Sequence, residues 1–458
     1  MNELNDFMAG LNGILWHEFV LFTLLGTGVV FTLWSRFGQY RALTHGVKVV
    51  RGTYDDPSDP GAISHFQALS AALSATVGLG NIGGVALAIS LGGPGAIFWM
   101  WVVGAVGMAI KLTEVSLSML YRNIDDPKNP HGGPMWVVSQ GLERMNPALA
   151  PLGRGVGVVF CLTLLVSTAT GGNMFQAWNV GEITEEYFGV PSVATGILLA
   201  MIVGSVIIGG ITRIGAVAGR LVPFMVVLYL VAGTYVLIMN IGDIPGMLAL
   251  IVTSAFSPAQ ADQAFIGGSA AGAFLFGMKR ALFSNEAGQG SSPIAHSAAR
   301  CKEPVREAIV AGLEPFVDTV VVCTFTALII LSTGVWNRPA EAAFDTLPQA
   351  RPVAASTWEV ETVPAPPRLD GGAWLPGAEV YLIYEGDRNP SSGNEKHRLL
   401  GTVVESAVAP GTLEIEWVDI ESGVRPRIED PGIYGQYPGA TLTARAFDTV
   451  TDGLGKWL

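Results

Sequence analysis

Apolar runs long enough to cross a bilayer, which takes about 20 residues, occupy Ile14–Trp34, Phe66–Leu91, Ala96–Tyr121, Val156–Val180, Val193–Gly210, Ile214–Met239 and Ala308–Ser332. Ala264–Ala299 starts apolar and then turns polar at Ser284-Asn285-Glu286-Ala287-Gly288-Gln289-Gly290. The pattern predicts about eight membrane-spanning helices, with a kink at Pro223. The second run is interrupted near its middle by Gly78, Gly80 and Asn81. Glycine costs a helix interior about 1 kcal/mol relative to alanine, and the backbone groups freed there find no partner in lipid. An interrupted span therefore predicts polar ligands, typically a carboxylate at half-helix N-termini and a cation at unwound carbonyls.

From Trp336 the pattern changes. Pro339, Pro348, Pro352, Pro364, Pro366 and Pro367 punctuate a linker, and alternating stretches follow at Glu379–Tyr384, Leu399–Val404 and Thr412–Val418. Period-two alternation between turn residues predicts strands. The reading is a small β-rich insertion over 336–441, then an amphipathic helix over 442–458 approaching the membrane again.

Half of the 458 residues are hydrophobic, only 14% are charged and mean hydropathy is positive, which places the chain in the membrane class. The net charge of -12 describes the acidic C-terminal third more than the apolar part, and no basic footprint for nucleic acid is present. Cys161, Cys301 and Cys323 have neither disulfide nor zinc spacing. Sidedness follows from Lys and Arg: Arg36, Arg41, Lys48 and Arg51, then Arg122 and Lys128, Arg213 and Arg220, and Arg300, Lys302 and Arg306 mark every second loop. The alternate loops Gly92–Gly95, Gly181–Pro191 and Asn240–Gln263 carry no Lys or Arg; the longer two contain Glu182, Glu185, Glu186, Asp243 and Asp262 instead. Positive loops face the cytoplasm, so the acidic N-terminus and residues 336–441 are expected outside it.

Gly78-Leu79-Gly80-Asn81-Ile82-Gly83 formally fits a dinucleotide fingerprint, but it follows a helical run and lacks the acidic residue about 20 positions on. Close helix packing accounts for Gly83 and Gly84, though not for Thr76 and Asn81 beside the break. Glu286 in the other interruption is costly at membrane depth unless paired or facing water. It is either bonded to Lys279 or Arg280, or it stands near a substrate amine or cation path. Arg280 is either a gate partner or a snorkelling cation. Asn173 and Gln176, three apart, share one helix face as interhelical glue or substrate contacts. His17, His45, His65, His131, His296 and His397 have no ligand spacing and read as boundary or loop residues. Trp16, Trp34, Trp99, Trp101 and Trp136 read as interfacial anchors.

Four blocks in order, Ser74–Val85, Gly92–Trp101, Gly132-Gly133-Pro134-Met135 and Lys279–Gly288, resemble the alanine/glycine:cation symporter family of sodium-coupled amino-acid transporters, over roughly Ile14 to Val335. The resemblance implies an all-α polytopic membrane protein with the LeuT-like fold: an extra N-terminal helix followed by inverted five-helix repeats. Residues 1–335 would be the transporter core, comprising that extra helix and core helices 1–7, and 336–441 a small extracytoplasmic β insertion. Residues 442–458 would lead to core helices eight to ten, which have no counterpart here, so the bundle is C-terminally incomplete and the chain is expected to run on.

Carried over by position, the break at Ala75–Asn81 is like the first core helix and Phe283–Gly290 like the sixth. The substrate carboxylate would meet N–H groups around Gly78, Leu79 and Gly80, and sodium would lie near Ala75, Thr76, Val77 and Asn81. The substrate amine would find Phe283, Ser284, Asn285, Glu286 and Gly288. Gln176 would line the pocket and Arg280 would gate it. The implied function is symport of alanine or glycine with Na+ as coupling ion and no other cofactor; the partners are a small amino acid, Na+ and the lipid bilayer. Two alternatives stay open, an amino-acid-binding sensor that uses the β insertion for a partner, and a proton in place of sodium with Glu286 as carrier. An intramembrane enzyme lacks a His-Glu-x-x-His, Gly-x-Ser-x-Gly or paired-aspartate signature.

Overall fold

The computed structural model describes residues 10–457 apart from 11–12, 15, 258–262, 355, 390–393, 407–408, 410 and 438. The acidic N-terminal stretch, Asp262 and Leu458 therefore lie outside the described residues. The helical part comprises α1 (Glu18–Trp34), α2 (His65–Thr76), α3 (Leu79–Gly92), α4 (Gly95–Leu120), α5 (Pro134–Met145), α6 (Ala150–Ser167), α7 (Phe175–Phe188), α8 (Ser192–Ile207), α9 (Gly210–Met239), α10 (Ile244–Ser254), α11 (Ala270–Asn285), α12 (Ser292–Ser297), α13 (Pro304–Ala311), α14 (Cys323–Ser332) and α15 (Ala440–Asp448). A π-helical stretch, Thr168–Met174, joins α6 to α7, and another, Phe316–Val322, leads into α14.

Among the described residues, four helical segments are long and apolar enough to cross a membrane, and up to six if each bent pair counts as one span. The sequence reading of about eight includes segments that are short or divided in the structure. The run Val193–Gly210 yields the 16-residue α8, and Ala264–Ala299 divides into α11 and the six-residue α12. The connection Asn240–Gln263, read as a loop, contains α10, which packs on α4 and α14. Pro223 lies inside the 30-residue α9.

Local chemistry sets the ends that matter. Ser64 and Gln67 form a reciprocal capping box: the Gln67 N–H donates to Ser64 Oγ at 3.2 Å and the Ser64 N–H to Gln67 Oε1 at 3.0 Å. The helix so started runs to Thr76 and resumes at Leu79 with a 40° bend. Only Val77 and Gly78 leave the helix, so Ala75 and Thr76, expected in unwound chain, are still helical. Small residues bring the helices together around α4. A Cβ on Gly277 of α11 would lie 2.3 Å from the Ala96 carbonyl oxygen. The largest apolar core joins α3, α4, α11 and α14 through Val85, Ile89, Met100, Met278 and Ile329. By contrast α6 to α9 keep broad apolar faces exposed, Val159, Leu165, Met201, Ile208 and Val231 among them, as lipid-facing surface requires.

The β part is built on the antiparallel strands β1 (Glu379–Glu385), β2 (Lys396–Glu405), β3 (Leu413–Trp417) and β4 (Gly432–Gly435), in the order β4-β1-β2-β3 within a seven-stranded sheet. Register pairs Leu382 with Leu399 and Val403 with Ile415. One face of β1 puts Val380 and Leu382 into the insertion's own core; the other sends Tyr381 and Ile383 against Ala264. Tyr381 Oη donates to the Ala264 carbonyl at 2.9 Å, and Asn394 Nδ2 to that of Gly267 at 2.7 Å. The chain then returns as α15, packed on α3 and α14. Seven of its nine residues are buried, so it packs as a core element of the bundle, and the helix expected over 442–458 covers Ala440–Asp448 instead, followed by a 3-10 turn at Gly455–Trp457.

Candidate functional site

The two interrupted helices meet. Gly80 faces Ser284, with its Cβ direction ending 3.8 Å from the Ser284 Cα. Asn81 sits at the junction, fully buried. Its Oδ1 accepts the Gly78 N–H at 2.8 Å, capping the break, and its Nδ2 donates to Asp318 Oδ1 at 2.6 Å and lies 3.3 Å from Ser284 Oγ. Asp318 also accepts Ser284 Oγ at 2.9 Å and Thr319 Oγ1 at 2.8 Å. Asn285 Nδ2 reaches Thr319 Oγ1 at 3.2 Å, and Cys323 Sγ lies 3.4 Å from Asn81 Nδ2. Thr76 Oγ1 is buried and has no hydrogen-bond partner among the described residues.

Asp318 and Thr319 were missed in the sequence because Ala308–Ser332 reads as one continuous apolar span. A signal was present: Glu307, Glu314 and Asp318 are spaced seven and four apart, which puts them on one helix face, and acidic residues within a span are functional candidates. The residues expected around sodium are thus only partly together. Asn81 is at the junction, Ala75 is exposed on its helix, Thr76 has no contact with the cluster among the hydrogen bonds of the described residues, and Ser284, Asp318 and Thr319 join from the other side. A carboxylate with hydroxyl oxygens around it is the donor set of a hard cation.

Beside this junction lies a cavity of about 210 Å³. Its floor is the start of α3, Leu79, Gly80, Gly83 and Gly84, and its walls include Arg280 and Phe283. The first-turn N–H groups of Leu79 and Gly80 have no intrahelical acceptor and carry the positive end of the helix dipole. From α7 the lining residues are Phe175, Trp178, Asn179, Glu182 and Ile183, whereas Gln176 is not among them. Phe175 and Phe283 meet edge to face at 6.1 Å. A smaller cavity of about 130 Å³, against Val77, Gly78 and Asn81, opens toward α9.

The second interruption is longer than the first. Glu286 adopts a left-handed conformation (φ 52°), followed by Gly288 (φ 86°) and Gly290 (φ 80°). Among the described residues Glu286 forms no ion pair with Lys279 or Arg280; Ser291 Oγ donates to it instead. Gly288 stands against Leu24 of α1 and, with Asn285 and Glu286, is not among the residues lining the 210 Å³ cavity.

A second polar cluster was also missed, and two histidines assigned to boundary positions belong to it. His65 and His296 are buried, and both bond Glu307 through Nδ1, His296 at 2.5 Å. His296 Nε2 bonds Glu314, which also accepts Ser292 Oγ at 2.8 Å and pairs with Lys111 Nζ at 3.1 Å.

A profile of the sodium:alanine symporter family matches residues 1–363. The sodium/alanine symporter AgcS of Methanococcus maripaludis is 43% identical over 329 residues, 72% of this chain and 71% of the relative. The "Probable sodium/glutamine symporter GlnT" of Bacillus subtilis is 36% identical over 340 residues, 74% of this chain and 68% of that one. An uncharacterized transporter of Haemophilus influenzae is 36% identical over 337 residues, 73% and 72% respectively.

Proposed function

The chain belongs to the sodium:alanine symporter family, and from that premise we propose that it carries a small neutral amino acid, alanine or glycine, together with Na+ across the cytoplasmic membrane by alternating access. What supports the reading most is the buried junction of Asn81, Ser284 and Asp318, where both interrupted helices and a membrane carboxylate share one set of hydrogen bonds.

In this reading Na+ is held by the Asp318 carboxylate with the hydroxyls of Ser284, Thr319 and Thr76. The hydroxyls rotate to present lone pairs, and Asn81 keeps the hinge at Gly78 capped. The substrate carboxylate meets the Leu79 and Gly80 N–H groups at the α3 N-terminus, an arrangement suited to anions. Phe283 and Phe175 bound the side-chain space. Phe283 lines the same cavity as Gly80, Gly83 and Gly84, and this reading takes the two rings as what keeps the substrate small. Sodium and substrate are linked through Ser284, whose backbone faces Gly80 while its hydroxyl faces Asp318.

The same reading takes the bundle as LeuT-like, with α2–α3 and α11–α12 opening its two inverted repeats. It takes 1–335 as transporter core, 336–441 as an extracytoplasmic insertion and 442–458 as the returning segment, with the N-terminus outside. The test is uptake of radiolabelled alanine, glycine and glutamine by proteoliposomes under a sodium gradient. Alanine or glycine accumulation that collapses with the gradient is expected. Accumulation driven by a pH gradient without sodium, or binding without flux, overturns it in favour of a proton carrier or a sensor respectively.

A further inference from the structure

The cluster around His296 lies at the far end of α2 and α12 from the helix breaks. Glu307 takes the Nδ1 of both His65 and His296, one on each carboxylate oxygen, so it ties α2 to α12 through α13. Glu314 takes the other nitrogen of His296 and pairs with Lys111 of α4. All five side chains are at most 1% exposed.

The hydrogen count at His296 is the informative feature. A carboxylate only accepts, and a neutral imidazole has one donor nitrogen and one acceptor nitrogen. His296 faces a carboxylate oxygen from both nitrogens, so the trio holds together only with one proton beyond a neutral ring and two carboxylates. With that proton the charges of Lys111, His296, Glu307 and Glu314 cancel. Without it a fully buried group is left with a net negative charge, which a dry interior penalises heavily. His65 differs: one donor at Nδ1 suffices, and its Nε2 points toward Asp55 at 3.6 Å.

The charged neighbours do not supply a substitute. Glu114 lies 3.9 Å from Lys111, and Arg122 spends its donors on the carbonyls of Pro60, Ser297, Ala299 and Cys301. Arg306 pairs with Asp59 and Glu303, and Glu286 accepts from Ser291.

We propose that His296, held between Glu307 and Glu314, is a proton-binding latch that fastens the half-helices α2 and α12 to α13 and α4. Loss of the proton frees both half-helices on the same side of their breaks and admits solvent to Asn81, Asp318 and Cys323 from that end. The inference rests on the transport reading only for its consequence for flux; the latch itself is read from geometry.

Cys323 touches Asn81 at the junction and is buried, so in a Cys161→Ser/Cys301→Ser background it reports opening. The experiment measures its alkylation by a water-soluble maleimide in detergent, without sodium, at fixed pH. His296→Gln, whose donors both sit on one nitrogen so that its carbonyl oxygen is left facing the second carboxylate, is expected to react at least tenfold faster than the parent. His65→Gln, which still supplies its single donor, is expected to stay within twofold. Equal rates in the two variants, or no acceleration in His296→Gln, overturn the latch. The parent protein gives an independent measurement that requires no further variant to fold. Its Cys323 rate, normalised to that of a free thiol peptide, rises in a step as pH is raised if a proton holds the latch, and a flat ratio overturns it. Sodium-driven uptake by the same preparations keeps the two readings apart, since a pH-gated Cys323 without flux sinks the symport reading alone, and flux with a flat ratio sinks the latch alone.

Discussion

Two buried polar clusters share this bundle, and they solve the same problem in opposite ways. At the junction of the broken helices one carboxylate, Asp318, is surrounded by the uncharged donors Asn81, Ser284 and Thr319. Around His296, charges alternate from Glu307 through the histidine and Glu314 to Lys111. Hydroxyls turn, so they exchange a hydrogen bond to Asp318 for an oxygen contact to a cation at little cost. An alternating chain of buried charges has no such freedom, because removing any one member leaves its partner unpaired. The first cluster is therefore built to exchange ligands and the second to stay closed or come apart as a unit.

The strongest way to break that comparison is Asp318→Asn. If the junction holds Na+ through its only charge, this near-isosteric change lowers sodium-driven alanine uptake by about 100-fold or more, while the protein still inserts and purifies. Two to three kcal/mol of lost charge-assisted bonding, the usual scale for hydrogen bonds to charged groups, already gives roughly a 30- to 150-fold effect. Uptake that keeps its sodium dependence in this variant would move the ion elsewhere.

Asn81→Ala comes next. It removes the cap on Gly78 and one of three donors to Asp318, so about a 10- to 100-fold loss of uptake is expected with membrane insertion intact. A proportionate rise in the sodium concentration needed for half-maximal uptake would place the loss at the ion. An unchanged sodium dependence with a weaker alanine KM would place it at the hinge and the N–H groups of Leu79 and Gly80.

How much of this was legible beforehand depended on whether a residue's neighbours in sequence are also its neighbours in space. Gly78 and the Ser284–Gly290 stretch announce themselves, because glycine and polar residues interrupt an apolar run locally, and the chain does bend or leave the helix there. The alternation at Glu379–Tyr384 is local too and lies on β1. Asp318 was hidden because Val317, Val320, Val321 and Val322 surround it in sequence, while its partners Asn81 and Ser284 lie 237 and 34 residues away. His65 and His296 are separated by 231 positions and joined only through Glu307, so no spacing rule links them. The helix before the break was read as well, from the apolar run starting at Phe66, and only its last two residues, Ala75 and Thr76, stay helical where unwound chain was expected.

A smaller effect separates ligand exchange from simple packing. Gly83 lies one turn beyond the junction, and a Cβ there would stand 2.9 Å from the Ala440 backbone nitrogen and 3.1 Å from the Gly439 carbonyl carbon. Backbone cannot rotate out of the way as a side chain does, so Gly83→Ala pushes α15 from α3. Overpacking costs about 1–3 kcal/mol, read as a lower midpoint in thermal unfolding followed by tryptophan fluorescence. If the junction is set by its own hydrogen bonds, the sodium dependence of the remaining uptake stays unchanged. A changed sodium dependence would mean that α15 helps to shape the site.

The smallest expected effect belongs to the β insertion and marks the outer limit of the comparison. Tyr381→Phe deletes the hydroxyl that donates to the Ala264 carbonyl at 2.9 Å. It keeps the ring, which stacks on Tyr434 at 5.3 Å and lies 4.6 Å below the Arg398 guanidinium. The Ala264 oxygen retains an alternative donor, since Arg398 Nη2 is already 3.4 Å away. The loss is then one neutral hydrogen bond with partial replacement, at or below about 1 kcal/mol. Uptake should stay within twofold of the parent. A tenfold loss from this one hydroxyl would show that the insertion, through Ala264 and the start of α11, sets the position of Ser284 and belongs to the exchanging cluster after all.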